Sequence, residues 1–356
     1  MRKALLGSLI GLVLLLPASL AAGQARTDPL VALKLAAVSV MSPLEVARAS
    51  SRTRSAAQKV REAAKEIKDR ELRSAVGSML DAPAPRLLGA TSSYEAFQAA
   101  AGGGWAGHHG YPGGLAVHTW LNLRHAWALV DLYRDEYEMW TDRDLVTAAV
   151  ICHDVLKAWT NQFWPLWSKE TGQFHVPPEV AKGGKYAAWG AYGLMGHHNA
   201  LMASELMYRK APPRLVFASL SHVDQALDSR DDGPRRTSDE TWERTLDDAF
   251  TWVEEVDPKA ALPYRRLYDA GDHRSMEAGI NFLADADWNL TQGRATPWAD
   301  KAFVRFASRY GLKPASKDWG MARNWAYAHV DPMKVAAVAQ HRGIGEAELL
   351  IEQAFR

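Results

Sequence analysis

From Gly114 to the end of the chain, apolar side chains recur at helical spacing almost without interruption, and this periodicity constrains the fold more than any other feature. Leu115 to Leu132 reads as one helix, and Leu145 to Leu156 as a second, capped by Thr141 with Asp144. Trp189 to Arg209 is a third, and Pro212-Pro213 open a fourth that runs through Asp228. Thr237 with Glu240 caps a fifth, whose stripe is Trp242, Leu246, Phe250 and Val253. Arg274 to Leu290 is helical, as is the chain after Asp331, with a break at Gly343. Upstream, Ala56 to Leu80 sets Val60, Ala64, Ile67, Val76 and Met79 against a Lys/Arg face, and Pro83 and Pro85 end it. Ser92-Ser93-Tyr94-Glu95 has the form of a capping box for a short helix. No run of alternating polar and apolar residues is long enough for a strand, and there is no internal repeat. The expected class is all-α, a helical bundle in one main domain.

Two stretches escape this pattern. A Gly-rich loop, 102–114, holds His108, His109, Tyr111 and Pro112; the Gly density alone would suit a tight turn. The stretch 157–184 has aromatics from Trp159 to Trp167, then Pro177-Pro178 and Gly183-Gly184. It reads as an irregular, aromatic-rich insert, either a pocket wall or lid or plain packing against the bundle. Thr27 to Ser55, with its Ser/Arg-rich patches, reads as a tether or loosely held helix.

The N-terminus has the form of a bacterial secretory signal. Arg2 and Lys3 precede an apolar run, Ala4 to Leu16, that is short for a bilayer span. Pro17 and small residues follow, with cleavage expected after Ala21 or Ala25. The expectation is a periplasmic or secreted protein with no stable membrane insertion after cleavage. Cys152 is the one cysteine of the 356 residues, so no internal disulfide can form. A net charge of +1 gives no electrostatic case for nucleic acid as the partner, and the absence of GK[ST] leaves a phosphate loop unsignalled.

Chemistry concentrates where helix propensity does not ask for it. His118 falls in the first turn of one expected helix, and His153-Asp154 lie inside the apolar run of the next. His197 and His198, then His222, then Asp285 with Asp287 nearby, occupy three more. One such His is most simply a hydrogen-bonded core residue. Five helices that each carry a His or an Asp can converge them on an internal point, as bundle metal sites do. Imidazole and carboxylate together suit Fe, Mn, Zn, Co or Ni.

The order of these residues resembles the HD superfamily of metal-dependent phosphohydrolases. The motifs are HHGYPGGLAVHT (108–119), AAVICHDVLKAW (148–159), GHHNALMASELM (196–207), LSHVDQAL (220–227) and EAGINFLADADWN (277–289). The branch they resemble most is the HD-type 3′→5′ exoribonucleases, whose lead-in IKDRELRSAV (67–76) and DAPAPR (81–86) also resemble; no oligonucleotide-binding barrel accompanies them here.

The resemblance implies an HD-type bundle with one or two divalent transition metal ions. His118, His153, Asp154 and Asp285 would hold the first, and Asp154 would bridge to a second on His197 and His222. Lys157 would contact a substrate phosphate, with His109 and His198 as further substrate contacts. Leu156 stands where the family has Gly, and Ser-His-Val where many members have Ser-His-His. The implied domains are a signal peptide (1–25), an N-terminal tether and amphipathic helix (26–85), the hydrolase domain (86–310) and a helical tail (311–356). The implied activity is hydrolysis of a small phosphomonoester, phosphodiester or nucleotide by a metal-activated water. Two other readings stay open: an HD-type di-iron oxygenase, and a binding protein whose HD site is structural or degenerate.

Overall fold

The computed structural model describes residues 27–103, 109–160, 167–168, 173–174, 198–220, 238–271, 275–286, 291–314 and 316–356. The fold is all-α, as the periodicity requires. In chain order the helices are α1 (Pro29–Val38), α2 (Pro43–Ala49), α3 (Ser51–Glu66), α4 (Arg70–Asp81), α5 (Tyr94–Ala99), α6 (Gly114–Tyr137), α7 (Arg143–Cys152) and α8 (Lys157–Thr160). There follow α9 (His198–Tyr208), α10 (Pro213–Ser219), α11 (Ser238–Val256), α12 (Pro258–Asp269) and α13 (Met276–Asp285). The last four are α14 (Thr296–Arg309), α15 (Lys317–His329), α16 (Pro332–Arg342) and α17 (Ile344–Gln353). Of the aromatic-rich insert, the described residues are α8 at its start and Trp167–Ser168 with Gln173–Phe174, a two-residue antiparallel pair. The signal segment lies outside the described residues. Among the described residues no helix is long and apolar enough to cross a membrane.

The hydrophobic side chains form two clusters. The first joins α3 through α13. At its centre α6 packs against α3, α7 and α13. The start of α6, Gly114 to Thr119, is buried on every side, as is all of α7 from Leu145 to Cys152, and a helix stretch that is apolar all round belongs in an interior. On α11 the stripe of Trp242, Leu246, Phe250 and Val253 is buried, each such side chain contributing about 1.5–3 kcal/mol of burial. α9 is pinned at its far end: Arg209 donates to Glu205 Oε1 at 2.5 Å and to the carbonyls of Ala82 and Ala84, both at 2.8 Å.

The second cluster brings the first and last described helices together. Val31, Val38 and Val46 from α1 and α2 pack with Phe303, Phe306, Trp325, Ile351 and Phe355 from α14, α15, α17 and the turn beyond. α15 touches α2 and α3, which joins this cluster to the first.

Several local readings change. Of the two readings of Thr27 to Ser55, a tether or a loosely held helix, the helix is the one observed, and α1 and α2 find apolar partners some 300 residues away that local pattern does not reveal. Ala56–Leu80 is two helices. The chain breaks at Ile67–Asp69, where Asp69 caps α4 and Asp144 Oδ2 accepts from Lys68 N and Asp69 N, both at 2.7 Å. Asp144 is therefore occupied elsewhere, and the N-cap of α7 is Asp142 rather than Thr141. Ser93 precedes α5 without a side-chain cap; a capping box forms instead at Ser42 and Glu45.

Candidate metal centre

The site is assembled where α7 stops. The apolar run continues through Val155 and Leu156, but the helix ends at Cys152 and His153 is its C-cap rather than a mid-helix residue. Ending a helix leaves its last carbonyls without backbone partners. One of them, Val150 O, lies 2.6 Å from His153 Nδ1. A carbonyl only accepts, so Nδ1 carries the proton. The other ring nitrogen, Nε2, faces 3.4 Å to Asp154 Oδ2 and 3.6 Å to Asp285 Oδ1.

His118 enters from α6, one turn after the Gly-rich loop. Gly113 is its N-cap residue, with φ +80°. Gly114 approaches so closely that a Cβ there would stand 1.9 Å from His109 O. The Nε2 of His118 is 3.1 Å from Asp154 Oδ2 and 3.1 Å from Asp285 Oδ1. Asp285 is the last residue of α13. That helix is held by Asn281 Nδ2, which donates to Ala218 O at 3.0 Å, and by His125 Nδ1, 3.3 Å from Ala284 O. His125 thus docks α13 on α6 and is not one of the converging donors.

The electrostatics follow from burial and proximity. Burial would raise both carboxyls. At Asp154 this is outweighed by Lys157 and by the imidazoles of His153, His118 and His198, which hold it well below the usual range. His118 and His153 do the same for Asp285. Burial would lower His118, yet the two carboxylates push it up to about 9. Lys157 Nζ bonds Asp154 Oδ2 at 2.5 Å, and His198 Nε2 lies 3.1 Å from the other oxygen, Oδ1.

The donors of His118, His153 and Asp154 all lie within 4.8 Å of one another and are buried, so this group could hold a metal ion. Atoms bound about 2.0–2.2 Å from one ion sit roughly 2.8–3.6 Å apart in right-angled to tetrahedral arrangements. The His–Asp contacts here, Asp285 included, span 3.1–3.6 Å. The spacing and the nitrogen–oxygen donor set fit a divalent transition metal.

Of the residues singled out in the sequence, His118, His153, Asp154, Asp285, Lys157 and His198 converge. His109 stands beside them, its ring 5.7 Å from that of His118. His197, His222, His108 and Asp287 lie outside the described residues. Two buried residues escaped sequence reasoning. Asn122 Nδ2 donates to Asp285 Oδ1 at 2.8 Å and lies 3.1 Å from His118 Nε2, and Asn281 orients the helix of Asp285. Each is a polar residue one helical turn before or after a proposed ligand, inside an apolar run; that spacing was the available signal.

Fold and site together define an all-helical protein with a buried imidazole–carboxylate centre. The chain is similar to the dihydroneopterin 2′,3′-cyclic phosphate phosphodiesterase of Methanocaldococcus jannaschii, 34% identical over 97 residues. The match covers 26% of this chain and 37% of that relative, little more than a third of its length. No family model matches the chain, and no solved structure does.

Proposed function

We propose that the protein is a metal-dependent phosphohydrolase of the HD type acting on small phosphoesters, phosphodiesters foremost. One observation carries this reading: two imidazole nitrogens and two carboxylate oxygens from α6, α13 and the end of α7 face one another in a buried site at metal-ligand spacing. The partial similarity to a cyclic-phosphate phosphodiesterase supports the substrate class.

His118, His153, Asp154 and Asp285 would hold the ion. A bound divalent metal supplies a water acidified toward neutral pH and neutralises charge on phosphoryl oxygens. The protein's own contribution is to keep the site dry and its donors fixed. Val150 O holds the His153 tautomer, Asn122 holds Asp285, and the two carboxylates stay ionised. Asp154 turns Oδ2 toward His118 and His153 and Oδ1 toward His198, a geometry suited to a bridging carboxylate. A second ion would take His197 and His222 as further ligands. Lys157, at the rim of the site, would exchange its contact with Asp154 for a phosphate oxygen. The N-terminal sequence supports export as part of the same proposal, and the balanced charge supports a small substrate over nucleic acid.

The test is metal analysis of anaerobically purified full-length protein, followed by hydrolysis of 2′,3′-cyclic phosphates, other phosphodiesters and phosphomonoesters with and without O₂. The expected result is bound transition metal and O₂-independent hydrolysis that His153→Ala abolishes. Absence of metal, or a His153→Ala variant as fast as wild type, overturns the proposal. Activity that requires O₂ and iron points instead to the oxygenase reading.

A further inference from the structure

A hydrogen-bonded chain runs from the second hydrophobic cluster to the edge of the metal centre. It starts at Asp331, the N-cap of α16, whose Oδ1 accepts from Met333 N at 2.7 Å while Oδ2 accepts from Arg52 Nη1 at 2.6 Å. Arg52, on α3, also donates Nη2 to Tyr327 O at 2.8 Å and to the Tyr111 hydroxyl at 2.6 Å. That hydroxyl lies 2.9 Å from His109 Nδ1. Tyr111 and His109 are buried, and the His109 ring adjoins His118.

The backbone shows a second sign that this position is built. His109 has φ +53°, a left-handed conformation rare for a residue with a Cβ. Such a conformation persists only where its surroundings over-determine it. Here the His109 carbonyl accepts from Gly102 N at 3.1 Å and Tyr111 N at 2.9 Å, and only a glycine at 114 leaves it room.

Proton accounting gives the chain a direction. A guanidinium can only donate, so Arg52 takes the acceptor side of the Tyr111 oxygen and leaves the hydroxyl proton for His109 Nδ1. Neutral His109 then carries its own proton on Nε2. We propose that Arg52, Tyr111 and Asp331 are positioning residues that hold His109 in the Nε2–H form, so that it donates to a phosphoryl oxygen of the substrate. The substrate half of this statement rests on the phosphohydrolase reading; the tautomer half does not.

The test uses the full-length protein with isotope-labelled histidine nitrogens, the His109 signals being assigned by their loss in His109→Asn. Nuclear magnetic resonance of wild type is expected to show a protonated Nε2 and a bare Nδ1. Tyr111→Phe, which keeps the ring and removes the hydroxyl, is expected to give a mixture of tautomers. With metal-loaded enzyme and a phosphodiester, Tyr111→Phe and Arg52→Lys are expected to raise KM about tenfold, the scale of one hydrogen bond to a charged group, with a smaller change in kcat and an unchanged metal content. A proton on Nδ1 in wild type overturns the proposal, as does a Tyr111→Phe tautomer identical to wild type. The wild-type spectrum needs no variant to fold. A blank on every phosphoester removes the functional reading, while the tautomer measurement still decides the proton arrangement.

Discussion

Asn122 donates its side-chain amide to Asp285 Oδ1 across 2.8 Å, tying α6 to the last residue of α13 inside the site. The contact holds the same carboxylate oxygen that faces His118 and His153. Groups that orient metal ligands in this way are typically worth about 10- to 100-fold in metal affinity. Asn122→Ala is therefore expected to weaken metal binding by about that factor while the helical circular dichroism stays unchanged. Titration calorimetry with Mn²⁺ or Zn²⁺ checks it, and an unaltered affinity would remove Asn122 from the site.

Asp154 is the charge that one ammonium and three imidazoles share, with Lys157, His118, His153 and His198 all within 3.4 Å of its oxygens. Replacing one partner of a buried ion group strands the others. Asp154→Asn is expected to destabilise the metal-free protein by about 3–5 kcal/mol, read from urea unfolding. A loss below about 1 kcal/mol, the scale of an exposed pair, would show that water reaches the cluster freely.

Two glycine substitutions should move stability in opposite directions. Gly114→Ala drives a Cβ into the His109 carbonyl at 1.9 Å, with backbone on both sides of the clash, and should cost about 3 kcal/mol or more. Gly77, inside α4, has nothing within 4 Å of a built Cβ. Gly77→Ala should stabilise by about 0.5–1 kcal/mol through helix propensity. Thermal unfolding of the pair checks both signs.

His329 makes a pH prediction outside the candidate metal centre. Burial lowers its pKa, Lys34 and Arg52 add to the effect, and the bond to Trp325 O opposes it. A folded-state value below the unfolded one means that the unfolded chain takes up the proton first as pH falls. The contribution of neutral His329 is thus complete above about pH 6.5 and declines below it, down to the folded-state value. His329→Phe keeps a ring on Trp325, which His329 stacks at 3.9 Å. It should flatten the fall in stability between pH 7 and 5, and an unchanged slope would refute the assignment.

What could be read from the sequence was what local chemistry determines. The stripe of α11 and the run of α6 place their helices because a buried face leaves a period. His118, His153, Asp154 and Asp285 could be singled out because ionisable residues inside apolar runs need partners. The break between α3 and α4 could not be read, since it depends on Asp144, 76 and 75 residues along the chain from the two amides it accepts. The end of α7 was hidden for a related reason: Val155 and Leu156 are buried in a turn and carry the apolar pattern past the helix. His197 and His198 were inseparable by position. Of the two, His198 is among the described residues and contacts Asp154; the sequence had suggested it as a substrate contact. The link from Arg52 to Tyr111 crosses 59 residues and leaves no periodic trace.

The pairing of α1 and α2 with the last helices in one cluster has a consequence for how the molecule comes into being. Asp28 accepts from Arg356 Nε at 3.0 Å, a separation of 328 residues. Until the last helices have been made and docked, the first helix lacks that partner. Throughout that interval Val31 and Val38, which the finished protein hides completely, stand beside Leu30 and Leu33, which it leaves exposed. The α6–α13 bundle has no such delay for most of its contacts and can form first. The nascent chain is therefore most open to chaperones and to self-association at α1, and the closing of the second cluster is the step that ends that exposure.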